Sequence, residues 1–401
     1  MIDYRGAGFN DLMERNEILS SPSSFSDLNS ILEDGSIDTS KIQGQGVRND
    51  KLFFPTRTNN AIVALDGSGD FTNIQMAINY LNNLTGGTVF IRSGTYTLND
   101  NITLYSNISL VGEDNDNTIL DFNGKTNNLN CVGTFSNQIF NVSISNLKII
   151  NSRSNLYSLY FKYTQRIYIK EIIFDYNIVD TLDGGGDIHF NHCRRVTVTG
   201  CDSRGTTISS GSFIYIDQSS EFSILSNRTN NIAIHSVVII GDVTSSSISI
   251  LIQNNLFGAG NSYAINVAGT YTQVAIFYNT IKGNPLGGIT LYGTDYPQVI
   301  GNYITATQNA NHYPIVVSTL NGAVIEGNIL EGSDGDGIFI YSVDNSIVSG
   351  NRVTGCAGYG VNVSDAASDK NIVSSNQLLG NTSGGLQDLG TATEVGHNVT
   401  A

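Results

Sequence analysis

Asp187, His189, Asp217 and Lys162 bring two carboxyls, an imidazole and an ammonium group into a short span of sequence. Such a set could move protons on a sugar. One protonated and one ionised carboxyl hydrolyse a glycosidic bond when they stand about 5 to 9.5 Å apart. A base on the α-proton of a uronate, with a cation neutralising its carboxylate, carries out elimination or epimerisation instead. For that second route His189 with Tyr160 or Tyr215 supplies acid and base, and Lys162 the neutralising charge. For the first, Asp187 and Asp217 fall at opposite ends of their segments, so their separation is expected to exceed the hydrolytic range. Asp183, in the run DTLDGGGD, could swing toward the pair or bind solvent cations.

A second set of residues suits contact rather than chemistry. Tyr160, Tyr215, Tyr292, Phe339 and Tyr341 supply flat rings, and Asn191 and Asn266 supply amides. Ring faces match the apolar C–H faces of sugars, and amides give hydroxyls directional partners. The same tyrosines also suit exposed strands in general, or a stripe that packs against neighbouring copies in a trimer. Which reading holds depends on whether the chain places them on one face.

The elements that position them come from a repeat. Asn254, Asn279, Asn302, Asn328, Asn351 and Asn376 follow one another at 25, 23, 26, 23 and 25 residues. A period of this length marks a solenoid. Three residues before each Asn stand Leu251, Ile276, Val299, Ile325, Val348 and Val373, and two after stand Leu256, Ile281, Ile304, Leu330, Val353 and Leu378. An odd offset of five cannot put both sets on one side of a straight strand, so the chain must bend at the Asn. Asn tolerates the left-handed conformation such a bend demands, and stacked amides can form a ladder. Ile265, Ile289, Ile315, Ile338 and Val361 repeat in step with the first set and mark another column of strands. Weaker copies lie upstream at Asn146, Ile167 to Ile173, Val196 to Thr199 and Asn227.

The fold expected is all-β: a right-handed, single-stranded parallel β-helix of about a dozen coils, a rod on the order of 60 Å. Alternation along the third strand column then puts Tyr160, His189, Tyr215, Asn266, Thr290, Phe339 and Asn362 outward, with Lys162, Asn191, Asp217, Tyr292 and Tyr341 at the next outward positions. At the front, Ile74, Ala77, Ile78 and Leu81 fall at helical spacing. A short helix over Asn73 to Leu81 is expected to cap the open end, followed by strands at Thr88 to Ile91 and Thr95 to Leu98.

Asp66-Gly67, Phe71, Ile74-Gln75, Ala77-Ile78, Gly86-Gly87-Thr88-Val89 and Gly94-Thr95-Tyr96 resemble the opening module of pectate-lyase-3 type, pectin lyase-like β-helix proteins. That module also occurs in phage tailspikes and tail fibres. The later coils resemble the repeats of copper-site maturation proteins and carbohydrate-active β-helices. The resemblance covers about 330 residues and implies the fold. It implies an extracellular or virion-surface role in host recognition and an attachment segment at residues 1–60, followed by a capping module at 61–105 and repeats at 106–401. The sequence contains no DPHD-like epimerase box and no polygalacturonase set of NTD, DD, GHG and RIK. Gly335-Asp336-Gly337-Ile338 matches the NTD strand only by chance.

Composition narrows the partners. A formal net charge of -15 over 401 residues opposes binding to nucleic acid or an anionic membrane. No apolar run reaches the roughly 20 residues of a membrane span, and the first residues lack the order of a secretory signal. Residues 1 to 60, with a helix candidate at Phe9 to Leu19, stand outside the repeat. Cys131, Cys193, Cys201 and Cys356 read as buried thiols, with a Cys193–Cys201 pairing left open. His235, His312 and His397 are isolated. No cofactor is implied and no metal set converges, although acidic loops leave calcium open. The expected partner is a polysaccharide, bound by a homotrimeric rod; a polysaccharide lyase, hydrolase or epimerase acting on an acidic glycan, and a purely structural spacer, are the alternatives.

Overall fold

The computed structural model describes residues 59–124, 128–154, 157–179, 186–206, 211–230, 235–241, 249–258, 262–271, 273–283, 287–305 and 313–400. Contacts divide the chain into Met1–Thr56 and Arg57–Ala401. The helix candidate at Phe9 to Leu19 and Asp183 both lie outside the described residues.

The second unit is a right-handed parallel β-helix. Each coil contributes a strand to each of three columns, and every pairing between coils is parallel. The third column is a sheet of 12 strands, which sets the number of coils. The periodic apolar residues stack in register: Ile276, Val299, Ile325, Val348 and Val373 in the first column, and Ile281, Ile304, Leu330, Val353 and Leu378 in the second. Ile265, Ile289, Ile315, Ile338 and Val361 stack in the third. All of these are buried and form one continuous core.

The corner between the first two columns works as the period demands, with two corrections. The left-handed residue is the one before each stacked Asn: Tyr278, Gly301, Gly327, Gly350 and Ser375 have φ of 54, 66, 62, 63 and 59°. The Asn itself turns inward and is buried. At the first copy the register also slips by one. Asn255, not Asn254, joins the ladder, Asn254 being the left-handed residue at φ 56°. Ile252 and Phe257 are buried where Leu251 and Leu256 were expected, and Leu256 is exposed.

The ladder runs from Asn227 through Asn255, Asn279, Asn302, Asn328, Asn351 and Asn376 to Asn398. Each rung is satisfied several times over. Asn302 Oδ1 accepts from both the backbone N–H and Nδ2 of Asn279 at 3.0 Å, while Asn302 Nδ2 donates to the Ile276 carbonyl at 2.9 Å. Upstream the same slot holds Leu147, Ile172 and Cys201, and the Cys201 N–H donates to Asn227 Oδ1 at 2.9 Å. Asn146 is the left-handed residue of its corner, at φ 59°, and does not stack in the slot.

All four cysteines are buried free thiols. Cys193 and Cys356 resemble Cys201 in that their backbone N–H groups donate to a side-chain oxygen of the next coil, Ser219 Oγ at 2.8 Å and Asn381 Oδ1 at 3.0 Å.

The capping helix spans Ile74–Asn83 and buries Ile74, Ala77, Ile78 and Leu81. Asn73 caps it, its Oδ1 accepting from the Met76 N–H at 3.0 Å. The helix packs against Asn60–Val63 and Gly87–Ile91 and so covers the end of the core. It ends before Gly86, at φ 115°, where a Cβ would come within 2.4 Å of the Asn107 side chain. The strands that follow are Gly87–Ile91 and Gly94–Thr97.

Candidate functional site

Register on the third column decides which of the expected residues share a face. Tyr160, His189, Tyr215, Val238, Asn266, Thr290, Val316, Phe339 and Asn362 form one outward row. Lys162, Asn191, Asp217, Ile240, Ala268, Tyr292, Ser318 and Tyr341 form the next. The expected face therefore exists. Val238, Val316, Ile240 and Ala268 interrupt it.

Asp187 is not on that face. It was placed there because residues two apart in a strand share a side with His189, but the alternation fails where the chain enters the strand. Gly186, Asp187 and Ile188 are all buried. The Asp187 carboxylate accepts from the Ser203 hydroxyl, on the buried side of the neighbouring strand. A carboxylate enclosed there cannot meet a substrate on the outer face, so Asp217 remains the carboxylate of this patch.

The remaining residues converge on His189. Its ring lies 4.6 Å from Tyr157, 5.2 Å from Tyr160 and 5.0 Å from Tyr215, centroid to centroid. Tyr157 escaped the sequence reading because it opens its strand, three residues before Tyr160, and is itself buried. Its ring leans along the axis over Gly186 of the next coil, where a Cβ would stand 2.9 Å from Tyr157 Cε1 and 1.9 Å from the Ser212 carbonyl. The usable signal was a glycine standing in register with a tyrosine one coil earlier.

Burial among these rings lowers the His189 pKa to about 4, so the imidazole is neutral at neutral pH. Its Nε2 is enclosed and has no hydrogen-bond partner. The phenols move the other way. Burial raises Tyr157, Tyr160 and Tyr215, with the nearby Asp217 charge adding to each. They remain hydroxyl donors.

Below the rings runs a polar row. Asn191 Nδ2 donates to Asp217 Oδ2 at 2.7 Å, and Asn191 Oδ1 stands 2.8 Å from His192 Nδ1. Lys162 lies over the Tyr163 ring at 5.6 Å, and that ring stands 4.7 Å from His192.

Farther along the same face a second aromatic pair appears: Tyr313 and Phe339 stack at 4.8 Å with 26° between their planes. Asp336 lies beside them, buried, accepting from the Tyr359 N–H at 2.6 Å and from Asn362 Nδ2 at 2.8 Å. Tyr292 and Tyr341 are exposed. His235 Nδ1 lies 2.8 Å from the Tyr263 carbonyl in a structural contact, and His312 lies outside the described residues. Among the described residues no three His, Cys, Asp or Glu side chains gather as a metal site. No helix among them is long and apolar enough to cross a membrane.

Comparison with known proteins agrees with this architecture. Residues 243–400 match the family model described as the right handed beta helix region. No curated protein matches the sequence significantly. The A-module of a mannuronan C-5 epimerase from Azotobacter vinelandii superposes with a TM-score of 0.62 at 14% identity, covering 83% of this chain and 96% of its own. Tailspike protein 3 of bacteriophage CBA120 gives 0.51 at 13% identity, covering 95% and 67%. A double mutant of the tailspike of Escherichia coli bacteriophage HK620, in complex with a pentasaccharide, gives 0.52 at 13% identity, covering 80% and 74%. At these identities the likeness is one of fold.

Proposed function

We propose that this chain recognises a polysaccharide through the outward face of its third strand column, on a rod displayed outside the cell or on a virion and assembled as a homotrimer. Residues 1–60 would fasten it to the larger assembly. The observation that carries the reading is the nest of Tyr157, Tyr160, His189 and Tyr215 directly above the Lys162, Asn191 and Asp217 row. Ring edges and faces receive the apolar side of a sugar while amide, carboxylate and ammonium groups receive its hydroxyls. The pentasaccharide held by one tailspike of this fold and the mannuronan substrate named for the epimerase both support a carbohydrate partner.

The test is light scattering followed by a glycan array. A trimer that retains glycan, with retention falling about fivefold in Tyr160→Ala, is the expected result, since aromatic stacking contributes about 1 kcal/mol per ring. A monomer that retains nothing on the array would overturn the proposal.

One observation favours a second reading, the lyase or epimerase. His189 is neutral and its partly exposed ring stands against those of Tyr160 and Tyr215, an arrangement that suits proton exchange. This reading predicts a change in chain length or sugar stereochemistry on alginate, lost in His189→Ala and reduced in Asp217→Asn. Unaltered alginate after long incubation leaves recognition alone. With Asp187 enclosed, hydrolysis by a carboxyl pair on this face has no second member among the described residues.

A further inference from the structure

The face carries a second polar and aromatic station that the first does not require. Phe339 stands in the same outward row as His189, six coils farther along. At about 4.8 Å per coil the two stations are about 29 Å apart. The second consists of the stacked Tyr313 and Phe339 rings, both partly exposed, with Asn362 in register beside Phe339 on the next coil.

Asn362 is 8% exposed. The bond from its Nδ2 to Asp336 fixes which way its amide points, because a carboxylate oxygen can face only the donor end. Its Oδ1 is left with no partner. A buried acceptor without a donor is destabilising. An enclosed amide oxygen beside a stacked aromatic pair is matched by a ligand that brings a hydroxyl and an apolar ring face together.

Between the stations the row is Val238, Asn266, Thr290 and Val316, a floor of small uncharged side chains. The two outward rows described above carry only one cation, Lys162, and it lies one coil from His189 and close to Asp217 in register. A polyanion would therefore meet a protein of net charge -15 with almost nothing on this face to neutralise it.

We propose that Tyr313, Phe339 and Asn362 form a second sugar-binding station, and that the face takes an uncharged polysaccharide long enough to engage both stations at once. This rests on the carbohydrate reading given above and adds to it a ligand class and a minimum length. Joining two stations by one chain raises affinity through effective concentration rather than through new contacts at either end.

The experiment uses the full chain and size-fractionated dextran, galactomannan and galactan fragments, with alginate fragments as the anionic set. Because the chain has no Trp, tyrosine fluorescence reports binding directly. Neutral fragments longer than the station spacing should bind at least tenfold more tightly than short ones, with little dependence on salt. Phe339→Leu keeps an apolar side chain but loses the flat ring. It should remove that length advantage while short-fragment binding at the His189 station is unchanged. Asn362→Leu, which deletes the unpartnered oxygen, should do the same to a smaller degree. Thermal unfolding checks that both variants fold, and Phe339→Tyr should restore the long-fragment affinity.

Equal affinity for short and long neutral fragments, or equal loss of both in Phe339→Leu, would overturn the second station. Preference for alginate that weakens steeply with salt would overturn the uncharged ligand while leaving carbohydrate recognition standing. Failure of the wild-type chain to bind any of these fragments, or any glycan on the array, would remove the carbohydrate reading and this inference together.

Discussion

The coils before Asn227 and those after it solve the same corner in different ways. From Asn227 onward the slot holds an amide in every coil described, buried in all but the last, Asn398, and each rung is bonded to the next. Before it the slot holds Leu147, Ile172 and Cys201, and the core is filled by large rings. Phe161 and Phe190 stack at 5.3 Å, Phe190 meets Phe222 edge-on at 5.2 Å, and Phe174 meets Phe213 at 6.1 Å. The later core is built largely of Ile, Val and Leu. The His189 nest sits on the ring-filled half, and the uncharged floor on the laddered half. Directional bonding fixes one half, close packing the other, and the titratable chemistry lies where the ladder is absent.

The largest effect should come from the ladder. Asn302→Ala would leave the Asn279 N–H, the Asn279 amide and the Ile276 carbonyl each short of a partner in the core. At about 1–3 kcal/mol for each unsatisfied group, the loss should reach about 3 kcal/mol or more in urea unfolding. A loss under about 1 kcal/mol would show that the amides are replaceable packing.

His189 should make the upstream half sensitive to acid. Its folded pKa, about 4, lies below the unfolded value near 6.5. The folded state thus binds fewer protons than the unfolded one between those values. Stability is full above about pH 6.5, falls as pH drops through that window, and levels off below about 4, for a total of about 3 kcal/mol. His189→Phe should flatten that stretch of the unfolding-versus-pH curve, and an unchanged slope would show that the imidazole does not titrate there.

A change in the same slot upstream should cost less than one in the ladder. Cys201→Ala removes a buried thiol, but the bond between the residue-201 N–H and Asn227 Oδ1 belongs to the backbone and survives. About 1 kcal/mol is expected, and a cost equal to that of Asn302→Ala would erase the distinction between the two halves. The smallest effect is chemical. Burial pushes the Cys131, Cys201 and Cys356 thiols up to about 12, so the native protein should resist iodoacetamide at pH 8 while the unfolded chain reacts at all four cysteines. Rapid labelling of the native protein would show that one of these coils opens.

How much of this was legible follows from the same contrast. In the laddered half, an Asn with apolar residues at fixed offsets marks the corner plainly, and the stacked columns at Ile276, Ile281 and Ile289 follow. The slip at Asn254 arose because Asn254 and Asn255 adjoin, and Leu251 and Leu256 look as suitable as Ile252 and Phe257. Only burial separates the two registers. In the ring-filled half the slot is apolar, so no polar marker announced it and Asn146 was read as a rung. Asp187 was misplaced because strict alternation was extended to the first residues of its strand, Gly186–Asn191, where three successive residues are buried. Tyr157 and Tyr313 were missed for a related reason: both open their strands and reach along the axis to side chains one coil away, a direction that periodicity within a strand does not encode.

Hydrogen exchange on the full chain, with and without a bound neutral oligosaccharide longer than the station spacing, tests the central claim most directly. The account predicts slowed exchange in two separate groups of third-column strands, Tyr157–Lys162, Gly186–Asn191 and Ser212–Asp217 at one station and Tyr313–Asn321, Ile338–Asp344 and Tyr359–Val363 at the other, with the first column unchanged. Protection confined to the first or second column, or none at all under saturating oligosaccharide, would contradict it.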